Sequence, residues 1–397
     1  MTEKNRHGGE RRGGEIRFDF SVNVNPLGMP EAARAALLSD WKIYEEYPDD
    51  GYAALREALA ARFGVKREQV VCGNGASDLI YRLCLCGGFR KVLLPVPSFT
   101  EYQRALEMAG CEIRYFYTEE HCGFVPDERI LEAITPDLDA LFLCNPGNPA
   151  GGLISGELMR KIAERCRQAS VMLVSDECFL DFVQDGSESS ALSCLKEGLN
   201  GDFERSGGIA VIRAFTKIFA MAGLRLGFAV FSSQEMARKV YGWGAPWQVS
   251  GPSQAAALAI LGAGGDADGM CCRDGSCGYQ AETEWDSHIE KTQSYIVDQR
   301  YMLEDGLKKL GFSTVPGCAN YILFRGPEDL GRKMAEKGFS IRDCSDYAGL
   351  EKCEKNESGG TEPEGGAAGE KYYRIAVRKE PENRLLLREM ERYVKWL

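Results

Sequence analysis

At 397 residues with a formal charge of −11, the chain is long enough for two or three domain-sized units and offers no general basic surface for nucleic acid. Its apolar content of 44% is that of a globular protein, and no apolar run reaches the ~18 residues of a membrane helix. The polar start MTEKNRHGGERRGGE is unlike a signal peptide, so the fifteen cysteines are expected to be reduced thiols in a cytoplasmic protein.

Residues 1–40 hold an extended piece, DFSVNVNPLG, and then a helix-like PEAARAALLSD. A helical stretch, GASDLIYRLCLCG, follows VVC. Apolar runs come next: KVLLPVP (91–97), ALFLCNP (140–146), VMLVSDE (171–177), GIAVIRAFT (208–216) and LGFAVFS (226–232). Each ends in small or polar residues, and helix-period segments such as YQRALEMAG and SGELMRKIAERCRQA lie between them. Continuous apolar strands alternating with helices predict an α/β fold with a mostly parallel sheet covered on both faces. From about Trp285 the order changes to a long helix, a strand (ANYILF), a helix (GPEDLGRKMAEKG) and short strands around FSIRDC and YYRIAVR. A large domain over 45–261 is therefore expected, with a smaller α+β domain built from 1–44 and 285–397. Two segments, 262–284 and 351–371, are rich in Gly, Glu, Ser or Cys and lack periodicity, so they read as inserted mobile loops. Cys271, Cys272 and Cys277 lack the paired spacing of a metal site, and no metal is expected.

In sheets of this kind ligands sit beyond the carboxyl ends of the strands. There the sequence puts Gly73-Asn74-Gly75-Ala76-Ser77 at a helix start, an anion site by its free amides, although Gly-Asn-Gly is also a common turn. Asn148 follows ALFLC, Asp176 and Glu177 end VMLVS, and Thr216 and Lys217 end the fourth run. Lys217 and Arg225 share an otherwise apolar stretch, AFTKIFAMAGLRLGF, where buried charge is costly unless it is paired or used. A lysine, an acid and a phosphate cradle at one sheet edge form the set that pyridoxal phosphate requires. Arg225 supplies a fixed cation for its phosphate.

Eight segments, SVNVNPLG, YPDDGYAALREALA, CGNGASDLI, PSFTEY, CNPGNPAG, SDECFLDF, FTKIFAMAGLRLGF and YYRIAVR, together resemble the fold-type I pyridoxal-phosphate enzymes. The resemblance is to the branch of threonine-phosphate decarboxylase and histidinol-phosphate aminotransferase, and it spans the chain apart from the two inserted loops. It implies a large domain with a mostly parallel seven-stranded sheet and a small domain from both termini. It also implies that Lys217 is the Schiff-base lysine, that Asp176 pairs with the pyridinium nitrogen and that Asn148 bonds the ring hydroxyl. Phe99 stacks on the ring, and Gly75, Ala76, Ser77, Thr216 and Arg225 belong to the cofactor site. Tyr47 reaches the cofactor phosphate of a neighbouring subunit in a homodimer. Arg374, with Asn23, meets the substrate α-carboxylate, while Arg342, His7 and Gly8 meet a substrate phosphate. His7-Gly8-Gly9, Phe179 in place of a tyrosine, and Pro246-Trp247 lean towards the decarboxylase. Ala214 stands where relatives often carry a phosphate-binding Ser. By this resemblance the expected reaction converts L-threonine O-3-phosphate to an aminopropanol phosphate for the cobalamin nucleotide loop. The alternatives are an aminotransferase for histidinol phosphate or a related amino acid, and a non-catalytic protein on the same fold.

Overall fold

The computed structural model describes residues 16–196, 208–263, 283–350 and 370–395. Seven strands form one sheet: β1 (Val70–Gly73), β2 (Lys91–Val96), β3 (Glu112–Tyr117), β4 (Ala140–Cys144), β5 (Met172–Asp176), β6 (Ile209–Ala214) and β7 (Gly227–Phe231). Their order is β1-β7-β6-β5-β4-β2-β3. Only β7 runs antiparallel to its neighbours, β1 and β6, so the sheet is mostly parallel as expected. The central strands β5, β6 and β7 are buried at every residue, as helices on both faces require. β3 escapes the apolar-run criterion. Its sequence EIRYFY lies at the sheet edge, and none of its residues is fully buried.

Four antiparallel strands form a second sheet: β8 (Ser313–Thr314), β9 (Tyr321–Pro327), β10 (Arg342–Asp343) and β11 (Glu370–Ala376), in the order β10-β11-β9-β8. The long helix Glu284–Lys309 leads into it, with the Thr283 side chain capping its N-terminus. In this sheet Arg342 on β10 is the register partner of Arg374 on β11. The N-terminal stretch joins the two sheets. Phe18 and Asp19 pair with Phe339 and Ser340, and the Phe20 carbonyl accepts from the Ala376 amide. Further on, the Asn25 amide donates to the Lys217 carbonyl. The helix Glu31–Ser39 packs on the helix Gly251–Ile260. Most of both segments read as inserted loops, and Cys271, Cys272 and Cys277, lie outside the described residues.

Under the turn that follows β6, four aromatic rings lock together. Phe219 lies 5.3 Å from Phe215 and 4.7 Å from Trp285, and Phe215 packs edge-on against Phe228. Phe219 is fully buried, and no rearrangement of such neighbours refills its volume without strain. Phe219→Ala should therefore cost about 3–5 kcal/mol of unfolding free energy. Urea denaturation checks this; the midpoint falls while the slope stays that of the parent protein.

Candidate active site

The carboxyl ends of β4, β5 and β6 open into a cavity of about 300 Å³, closed on its other side by β10, β11 and the stretch from Ser21 to Asn23. Asp176 is the last residue of β5. Lys217 stands on the single helical turn Phe215–Ile218 directly after β6. Ala76 and Ser77 come from the first turn of the helix Gly75–Cys86, Phe99 precedes the helix Thr100–Met108, and Arg342 and Arg374 enter from the second sheet. Among the described residues the cavity is thus lined by four cations, Lys217, Arg225, Arg342 and Arg374, and by one carboxylate, Asp176.

Asp176 is buried and doubly held. One oxygen accepts from the Tyr102 hydroxyl at 2.7 Å and the other from the Cys178 amide at 3.0 Å. Burial raises its pKa; these two hydrogen bonds and the charge of Lys217 pull the other way. A buried carboxylate in this state gains from a cation opposite it, as a protonated ring nitrogen would be. Burial also lowers the pKa of Lys217, and the charges of Arg374 and Arg225 push it further, to about 8. The amine is therefore far more available as a nucleophile than an ordinary lysine.

Arg225 adopts a left-handed backbone conformation, φ +65°. Its guanidinium rests on the loop before the helix Gly75–Cys86, with long contacts to the carbonyls of Asn74 and Ala222 and no carboxylate partner among the described residues. Two glycines allow this approach. A Cβ on Gly75, itself at φ +81°, would lie 2.7 Å from Arg225 Nη2, and a Cβ on Gly227 would lie 2.6 Å from the Ala76 amide nitrogen. No side chain caps the helix, so its first amides and Arg225 converge on one anion-sized site.

At the other end Arg374 is buried. It donates to the Asn148 side-chain oxygen and, at 2.9 Å, to the Ser21 carbonyl, and its Nε has no partner. The side-chain oxygen of Asn23 is likewise buried and unpartnered. Orphaned polar atoms of this kind carry a desolvation penalty that a bound ligand removes. Arg342 also faces the cavity, but Asp346 holds it.

Eleven of the expected site residues thus surround one cavity: Asn23, Ala76, Ser77, Phe99, Asn148, Asp176, Thr216, Lys217, Arg225, Arg342 and Arg374. Gly75 stands beside it under Arg225. Tyr47 does not line it; its ring is 81% exposed and lies 4.6 Å from that of Trp247. His7 and Gly8 lie outside the described residues. The sequence reading passed over Tyr102, Cys144 and Tyr347, which also line the cavity. Tyr102 follows Phe99 by three residues at a helix start, a spacing that turns both side chains to one face, and that was the available signal.

These residues fit pyridoxal phosphate. An uncompensated arginine with free helix amides suits the phosphate, a buried carboxylate suits the ring nitrogen, and a lysine of lowered pKa suits the aldehyde carbon. Fold and site together define a fold-type I pyridoxal-phosphate enzyme. The chain belongs to the class I and II aminotransferase family, which residues 15–347 match. It is 34% identical to the threonine-phosphate decarboxylase of Salmonella typhimurium over 374 residues, 93% of this chain and 89% of that protein. It is 31% identical to histidinol-phosphate aminotransferase 2 of Archaeoglobus fulgidus, over 84% of this chain and 85% of that protein. Among solved structures, the histidinol-phosphate aminotransferase from Clostridium acetobutylicum superposes with a TM-score of 0.77 at 26% identity, covering 96% of this chain and 100% of that one.

The lowered lysine pKa has a measurable consequence. A protonated amine cannot attack an aldehyde, so covalent attachment of pyridoxal phosphate to the apoprotein should accelerate as pH rises, with a midpoint near 8 instead of the ordinary 10.5. Arg374→Ala removes a cation that disfavours the protonated amine, so its midpoint should move upward. Stopped-flow absorbance across a pH series gives both values.

Proposed function

We propose that this chain is a threonine-phosphate decarboxylase, converting L-threonine O-3-phosphate to (R)-1-aminopropan-2-yl phosphate in cobalamin biosynthesis. The observation that carries the reading is the register pairing of Arg342 with Arg374. The two side chains leave one face of the sheet at opposed positions and both reach the cavity, so each can meet a different anion of one substrate. A substrate with an α-carboxylate and a distal phosphate supplies both. The similarity to the Salmonella decarboxylase over nearly the full length of both chains supports the same choice. Phe179 lines the cavity with a ring that packs edge-on against Tyr321 and offers no hydroxyl.

When bound, pyridoxal phosphate supplies an electron sink for the bond broken at Cα. Arg225 and the first amides of the helix Gly75–Cys86 hold its phosphate. Asp176, fixed by Tyr102, keeps a proton on the ring nitrogen. Arg374 with Asn23 binds the substrate carboxylate, and Arg342 meets the phosphate, with His7 and Gly8 assigned beside it. Held at both ends, the substrate would be fixed in one orientation about Cα, so that binding energy remote from the reacting bond is used for orientation. As carbon dioxide leaves, the bonding electron pair remains with Cα. Lys217 Nζ then delivers the proton that takes its place.

The same residues support a dimeric assembly. Arg225 is exposed at the mouth of the cavity, and Tyr47 is exposed on the same chain away from it. A homodimer in which Tyr47 of the partner subunit reaches the cofactor phosphate accounts for both. A cytoplasmic location completes the proposal; among the described residues no helix is long and apolar enough to cross a membrane.

A second reading, histidinol-phosphate aminotransferase, is favoured by the Clostridium structure, which the chain covers end to end. Carbon dioxide release from L-threonine phosphate, run beside amino transfer from histidinol phosphate to 2-oxoglutarate, separates the two. Release of carbon dioxide with little transfer is expected; fast transfer without release would replace the first reading by the second. Lys217→Ala should lower kcat by about 10²–10⁴-fold. Plain L-threonine should be a much poorer substrate than its phosphate, and Arg342→Ala should remove most of that preference.

A further inference from the structure

The arginines around the cavity are not equivalent. Among the described residues no carboxylate pairs with Arg225 or Arg374; their guanidinium groups hydrogen-bond to carbonyl and amide oxygens, and that of Arg374 also lies over the Tyr321 ring. Arg342, in contrast, carries its own counter-ion. Both oxygens of Asp346 approach its Nη2, at 2.9 and 2.7 Å, its Nη1 donates to the Asp343 carbonyl at 2.6 Å, and its guanidinium carbon lies 5.4 Å from the centroid of the Tyr347 ring. A tight turn makes this possible, since the Tyr347 amide bonds back to the Cys344 carbonyl and returns Asp346 beside the strand. Both terminal nitrogens and one face of the Arg342 guanidinium are thus engaged by its own chain. A guanidinium has five N–H donors, so others remain for the cavity.

We propose that Asp346 is a specificity-determining residue, whose carboxylate offsets the charge of Arg342 and limits how tightly the distal end of the cavity holds the substrate phosphate. The inference rests on the reading of Arg342 as the group that meets that phosphate. An anion bound to the free edge of the buried guanidinium feels the partly exposed Asp346 carboxylate on the other edge across a few ångströms, close enough for like charges to repel despite solvent at one side. The reaction gives this repulsion a use. Decarboxylation removes the group held by Arg374, but the phosphate stays on the product. Release then depends on the grip of the distal end, and a full unpaired charge on Arg342 would hold the product as firmly as the substrate.

Asp346→Asn separates charge from position, because an amide oxygen can accept the same bond from Nη2 without the negative charge. In the holoenzyme, where the cofactor already fills its own phosphate site, inorganic phosphate should bind about fivefold or more tighter to Asp346→Asn than to the parent, by calorimetric titration at fixed ionic strength. The KM of the phosphorylated substrate should fall by a similar factor, and that of its unphosphorylated counterpart by less than about twofold. Unchanged or weaker phosphate binding would overturn the proposal, and so would an equal shift on both substrates. Equal phosphate binding by Arg342→Ala and the parent would overturn it too, by removing its premise. Should the Asn variant fail to fold, Asp346→Ser removes the same charge and is held to the same criteria. The calorimetric arm needs no turnover, so a parent enzyme that releases no carbon dioxide would sink the decarboxylase reading and leave this test standing.

Discussion

Among the described residues four cations and one carboxylate line a single cavity, and much of the site follows from that imbalance. Like charges at short range in a poorly screened interior destabilise one another unless anions arrive or protons leave. Lys217 relieves part of the strain by losing its proton readily, with its pKa near 8. Arg342 relieves another part through Asp346. What remains on Arg225 and Arg374 is an unmet demand for negative charge at two ends of one cavity, and a phosphorylated cofactor and an amino-acid carboxylate are anions of the right kind to meet it. Arg374 is preorganised, because the Ser21 carbonyl and the Tyr321 ring anchor it and it need not rearrange when a ligand enters.

The supports of this cavity lie one layer back. Asn25 donates to the Ile218 carbonyl and to the Thr292 hydroxyl, both at 2.7 Å, and its amide side chain lies 3.1 Å from the His288 ring. Burial lowers the pKa of His288, which suits an uncharged imidazole among these partners. Next to Asp176 on the chain, Glu177 turns away from the cavity and is saturated by Arg213, Ser175, Ser190 and the Ala191 amide. Adjacent acidic residues thus have different tasks. One is left under-satisfied at the cavity, and the other is fully paired in the core, where a lone charge would be costly.

Much of this was legible in the sequence. Apolar runs ending in Asn145, Asp176 and Lys217 mark the strands whose ends form the site, because continuous burial on both faces leaves a plain compositional trace. The edge strand Glu112–Tyr117 leaves no such trace; its residues are shared between solvent and sheet. The two arginines of the small sheet were nameable only through motif resemblance. That they oppose each other in register depends on strand pairing over a long chain separation, which local pattern does not encode. Asp346 was invisible for a related reason, since an acid four residues after an arginine reads as an ordinary surface pair until the turn between them is known. Tyr47 carries no local sign of a partner, since in the proposed homodimer the surface it would meet would lie on a second copy of the chain.

The contact between Arg374 and the Ser21 carbonyl spans 353 positions of sequence. The same stretch near the N-terminus that reaches the last strand of the small sheet also reaches the turn bearing Lys217. Closing so large a loop has an entropic cost that nearby contacts do not share, and it is offset only once both ends are in place. The residues of this cavity proposed to hold the cofactor lie between Gly75 and Arg225, whereas those proposed for the substrate draw on Asn23 and on the strands that bear Arg342 and Arg374. During synthesis, then, Gly75, Asp176, Lys217 and Arg225 emerge well before the strand Glu370–Ala376, and the proposed grip on a substrate can form only after that strand has appeared.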